Sequence, residues 1–80
     1  METSEVLGRL QGVFDDVFID EVKINEATTA DDVDEWDSLT HVSLIVAIEK
    51  EFGVRFGTGE VEKTNNVGDL CRLIMTHLSR

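Results

Sequence analysis

Eighty residues make one small domain, 1–80, and a domain of this size buries only about 60% of its unfolded surface, which leaves little room for a deep catalytic pocket. With 17 acidic and 7 basic residues, a net charge of −10 excludes nucleic acid and anionic membrane surfaces as partners and makes basic protein surfaces the natural complement. A single cysteine, Cys71, excludes an internal disulfide and any multi-cysteine metal site.

The opening METSEVLGRL has neither the basic start and apolar block of a signal peptide nor the character of a transit peptide, so a soluble, cytoplasmic protein is expected. From Ser4 to about Phe18, Val6, Leu10, Val13, Phe14 and Val17 recur at helical spacing, with Thr3 or Ser4 as cap and Glu5 in the first turn. Gly8 and Gly12 each cost this helix roughly 1 kcal/mol relative to alanine. It must draw its stability from packing, and the two glycines are expected to admit another backbone close by. Residues 19 to 37 follow neither a helical nor a strand period. They form a long acidic loop, of the kind that is often functional, which Val22, Ile24, Ala27 and Val33 pin to the core. Trp36 is expected to fold back over the core and anchor it. The run DDVDEWD suggests a calcium loop but lacks its glycine and distal glutamate, so no metal site is expected.

A second helix begins at Asp37 or Ser38 and runs to about Phe52, where Gly53 stops it. Its longest apolar run, LIVAI at 44 to 48, is far too short to span a membrane. Leu44, Ile45, Ile48 and Phe52 form one apolar stripe, while Val42 and Val46 follow Ser38 around the other side. TGEVEK makes a short third helix with Thr58 as cap. Asn66 caps a last helix with Asp69 in its first turn, whose buried stripe is Val67, Leu70, Cys71, Ile74 and Leu78. The expected fold is all-α: a small four-helix bundle of three main helices and one short one, with a long loop between the first two.

Ser38 admits three readings. As a helix cap it would leave the chain an unmodified acidic interaction module. As a nucleophile with Asp37 and His41 it fails, because adjacent residues on one helix end supply neither triad geometry nor an oxyanion hole. As a point of attachment it gains from the helix dipole, which favours a phosphate at an N-terminus. His41, one turn on, reads as a half-exposed helix residue, and Cys71 as a small buried hydrophobe.

DSL at 37 to 39, followed by THVSLIVAIEKEFGVRF and later VGDLCRLI, resembles the acyl carrier proteins over nearly the whole chain. The resemblance implies a carrier that is not an enzyme, with 4′-phosphopantetheine from coenzyme A joined covalently to Ser38 between the motif residues Asp37 and Leu39. It also implies a monomer whose partners are a phosphopantetheinyl transferase and acyl-loading and synthase enzymes with basic docking surfaces. Val42, Val46, Glu49, Glu60 and Glu62 are the candidate partner-binding residues. Thr40, His41 and Ser43 depart from the acidic start of helix two in fatty-acid carriers, and Trp36 before the motif is not typical of them. Both features are closer to stand-alone carriers of polyketide or surface-polysaccharide pathways, with fatty acid biosynthesis left open.

Overall fold

A computed structural model describes residues 2–57 and 59–79 of the chain. Among the described residues there are three α-helices, α1 (Thr3–Val17), α2 (Ser38–Phe52) and α3 (Val67–Leu78), and two 3₁₀ turns, Ala30–Asp32 and Val61–Lys63. The expected four-helix bundle is thus three helices and a 3₁₀ turn in place of the fourth. The reason is local. Gly59 takes a left-handed φ of 82° and the chain is already extended at Thr64, with φ −78° and ψ 141°, so only residues 60 to 63 lie between them, too few for an α-helical ladder to close. Thr58, expected as the cap, lies outside the described residues.

α1 is the hub, packing on both α2 and α3. Val6, Leu10, Val13 and Phe14 are its buried stripe, and Val17 is half-buried. They meet Leu44, Ile48 and Phe52 of α2, and Val67, Leu70, Cys71 and Ile74 of α3, in one apolar core. Ile45 and Leu78, expected on those stripes, are half-buried at its edge. Arg9 ties α1 to the end of α2: Nε donates to Glu51 Oε2 at 2.9 Å, and its guanidinium lies 4.7 Å from the centre of the Phe52 ring.

Two expectations for α1 fail. Glu2, not Thr3 or Ser4, stands at the cap position, with no side-chain capping bond; the Thr3 hydroxyl instead points to Met75 Sδ at 3.5 Å. Gly8 and Gly12 are exposed, and a Cβ on either would meet nothing within 4 Å. The close approach occurs at Gly68, where Glu26 O lies 3.0 Å from the place of a Cβ.

That contact is how the long loop closes. The first amides of α3 donate to loop carbonyls, Val67 N to Thr28 O and Gly68 N to Glu26 O, each at 2.8 Å. Gln11 fastens the loop to α1: its Oε1 accepts from Ile24 N at 2.9 Å and its Nε2 donates to Val22 O at 2.6 Å. Glu35 accepts from the amides of Ile19 and Asp20 at 3.1 and 2.8 Å. Val22, Ile24 and Val33 pack on the core as expected, but Ala27 is exposed. Its neighbour Thr28 is buried instead, with its hydroxyl accepting from Asn25 N at 2.9 Å, because the backbone there must turn to reach α3.

Candidate functional site

The start of α2 is built by Asp37. Its carboxylate accepts from Leu39 N and Thr40 N, both at 3.0 Å, while the Thr40 hydroxyl accepts from Asp37 N at 2.8 Å, so each residue caps the other. These bonds, led by that from the Thr40 amide, hold the Asp37 carboxyl below the usual carboxylate range. The Thr40 hydroxyl also donates to Glu35 O at 2.6 Å, tying the helix to the loop.

With capping done by Asp37, Ser38 is left exposed at the first helical position, and its hydroxyl takes no hydrogen-bond partner among the described residues. An attached phosphate would fit here, since neither Oγ nor the N–H of Ser38 has a partner among the described residues. The anion site is weaker than the helix dipole alone implies, because the next two amides already serve Asp37. A phosphate at this position would meet the Asp37 carboxylate, which opposes it.

Leu39, Val42 and Val46 lie beside Ser38 as exposed apolar residues, 81%, 60% and 45% accessible, opposite the buried Leu44, Ile48 and Phe52. The two faces of α2 thus divide along the sequence periodicity. The acids expected for docking are more engaged than their spacing suggested. Glu49 Oε2 accepts from Phe56 N at 3.0 Å and so fastens the chain after α2. Glu60 Oε2 meets His77 Nε2 at 2.6 Å, on a histidine side chain only 9% exposed. Glu62 Oε1 faces His41 Nε2 at 3.3 Å.

Trp36 does cover the core, with its ring edge-on to Phe14 at 5.4 Å. Its indole also donates to His41 Nδ1 at 3.0 Å, a contact that sequence spacing does not disclose. Both nitrogens of His41 are thereby engaged with partners other than Ser38. Between loop, α2, the second 3₁₀ turn and α3 lies a cleft of about 220 Å³, lined by Trp36, His41, Val61, Glu62 and Leu70. It continues to Ser38 through Trp36, His41 and Glu62, which line both parts. Cys71 is fully buried away from this face, and burial, with the charge of Glu26 adding, pushes its thiol up to about 11.

Known proteins match this arrangement along most of the chain. Residues 4–74 match the family described as "Phosphopantetheine attachment site". An acyl carrier protein of Thermosynechococcus vestitus is 38% identical over 76 residues, covering 92% of this chain and 93% of its own length. One of Clostridium acetobutylicum is 38% identical over 66 residues, covering 81% and 84%. The solution structure of the holo acyl carrier protein from Geobacter metallireducens superposes with a TM-score of 0.85 at 41% identity, covering 94% of this chain and 87% of that one. An exposed serine behind an aspartate cap, on a three-helix fold shared with a holo carrier, agrees with these matches, and the chain belongs to the acyl carrier protein family.

Proposed function

We propose that Ser38 is the residue to which 4′-phosphopantetheine is joined, and that the protein shuttles acyl groups between enzymes without catalysing a reaction itself. The observation that carries this reading is the exposed Ser38 hydroxyl, without a partner among the described residues, in a helix whose capping Asp37 already performs. The arm supplies a terminal thiol that holds acyl groups as thioesters. The chain's own residues present the site: Asp37 and Thr40 set the first turn of α2, and Leu39 flanks the serine on the outer face. A phosphopantetheinyl transferase and acyl-loading and synthase enzymes meet that face in the cytoplasm, with the carrier acting as a monomer. Val42 and Val46 form the apolar contact and Glu49, Glu60 and Glu62 the acidic rim, against basic partner surfaces. With Thr40, His41 and Ser43 where fatty-acid carriers are acidic, the apolar contact bears more of the recognition. This composition favours a polyketide or other specialised pathway.

Intact-mass measurement after incubation with a broad-specificity transferase and coenzyme A tests the assignment. The expected result is addition of one phosphopantetheine to the wild type and none to Ser38→Ala. A wild type that stays unmodified while other carriers are loaded overturns it.

A further inference from the structure

Trp36, His41 and Glu62 form a chain of contacts across the cleft beside Ser38, from the end of the loop, through the first turn of α2, to the second 3₁₀ turn. The indole Nε1–H donates to His41 Nδ1 at 3.0 Å, and the two rings are stacked, 24° from parallel with centroids 6.2 Å apart. An indole N–H can only donate, so Nδ1 is the bare nitrogen of the imidazole and Nε2 carries its proton toward Glu62 Oε1, 3.3 Å away. This bridge exists only while His41 is neutral.

We propose that His41 is a proton-sensing positioning residue that joins Trp36 to Glu62 across the cleft when neutral and releases the Trp36 indole when protonated. One proton moves from water to Nδ1. The ring then has two N–H groups, of which Nδ1–H faces another donor while Nε2–H gains a charge-assisted bond to Glu62. The indole loses its acceptor, and the wall beside Ser38 loses this tie to the loop while that from the Thr40 hydroxyl to Glu35 O remains. Asp37 and Glu62 are the ionisable groups that line this part of the cleft with His41. Glu35, next to Trp36 in the loop, is committed to the amides of Ile19 and Asp20. Trp36 keeps its contacts with Phe14 and Phe18, 5.4 and 6.2 Å between centroids, so the proton frees its polar edge without withdrawing the ring. The inference concerns the unmodified chain and stands whether or not Ser38 is the attachment residue.

Trp36 is the single tryptophan and the chain has no tyrosine, so tryptophan emission and the indole N–H resonance both arise from Trp36 alone. Both are followed on the unmodified full chain across about pH 5 to 8, where imidazole changes charge. As pH falls, the emission is expected to drop and the indole N–H resonance to move upfield, in step with the ring-proton titration of His41. Both responses are lost in His41→Gln, whose amide oxygen still accepts from the indole but does not titrate. They persist in His77→Gln, the other histidine. The wild-type comparison of indole and His41 ring signals needs no variant to fold. An indole resonance that is flat over this range, or one that follows His77 instead, overturns the proposal.

Discussion

A methyl group placed on Gly68 would lie 3.0 Å from the carbonyl oxygen of Glu26 and 3.2 Å from its Cβ, whereas one on Gly8 or Gly12 would meet nothing within 4 Å. Three glycines in helices therefore differ in what they do. Gly8→Ala and Gly12→Ala should each stabilise the protein by about 1 kcal/mol, raising Tm by roughly 4–8 °C in a domain this small. Gly68→Ala should destabilise it by about 1–3 kcal/mol, since the carbonyl it would strike also caps α3. Thermal melts of the three variants check both signs. Two further residues make the stability depend on pH. The fold holds the Asp37 carboxyl below its ordinary value, so near that value the native state binds fewer protons than the unfolded chain. Its contribution is present above the unfolded value near 3.8 and is lost as pH falls through the folded one. The carboxyl carbon shift of Asp37 should accordingly titrate below 3.8. Cys71 has the opposite sign. Its neutral thiol is favoured by the fold, so its contribution is whole below 9.0 and is lost as pH rises toward about 11. Thiolate absorbance in the folded protein should appear only near that upper value, whereas in the unfolded chain it should appear near 9.0.

At the scale of the element, α2 serves two surfaces. Ile48 is fully buried and Phe52 nearly so, and each packs in the shared core. Replacing either with alanine should cost about 2–5 kcal/mol, a large part of a small domain's stability. Val42→Ala and Val46→Ala remove exposed side chains and should leave the melting temperature almost unchanged while slowing phosphopantetheine transfer. If Val46→Ala melted as early as Ile48→Ala, the division of faces would be wrong. The residues that depart from the fatty-acid pattern at this end have local work to do. Thr40 completes the cap and reaches the loop carbonyl of Glu35, and His41 receives the Trp36 indole. A carboxylate at 40 could still accept from Asp37 N but, having no proton to donate, would lose the bond to Glu35 O that fastens the loop.

For the whole molecule, a charge of −10 on a body with a radius of gyration of 11.4 Å creates a field that steers basic partners toward it. Screening acts over about 8–10 Å at ordinary ionic strength, so transfer of phosphopantetheine should slow as salt rises. The rim acids also have structural partners, which shapes the test. Reversing Glu49 would discard its bond to Phe56 N, whereas Glu49→Gln keeps an acceptor and removes the charge. Each exposed pair contributes only about 0–1 kcal/mol, so Glu49→Gln with Glu62→Gln should slow transfer more than either alone and flatten its salt dependence. Initial rates at low and high salt measure this. Rates indifferent to both salt and charge removal would mean that docking is apolar and the acidity serves solubility.

The sequence by itself determined the three main helices, the stripe of α1 and the two faces of α2, because apolar residues at helical spacing have one way to be buried together. It also singled out Ser38, since Asp-Ser-Leu opens an amphipathic helix, although it left Asp37 and Ser38 equal as caps. Only the three-dimensional structure decided between them, by directing the Asp37 carboxylate onto two amides and leaving the Ser38 hydroxyl without a partner among the described residues. The fastening of the loop was likewise hidden, for Gln11, Glu35, Thr28 and Gly68 act on residues far along the chain that no local period connects. TGEVEK reads locally as a short helix, yet its backbone turns left-handed at Gly59 and is extended by Thr64, which leaves room only for a 3₁₀ turn. Periodic burial is written locally and survives folding. Caps such as Asp37 and Asn66 act within one turn, but which polar group fastens the loop is settled only when distant segments meet, because each bridging donor takes the partner that packing brings within reach.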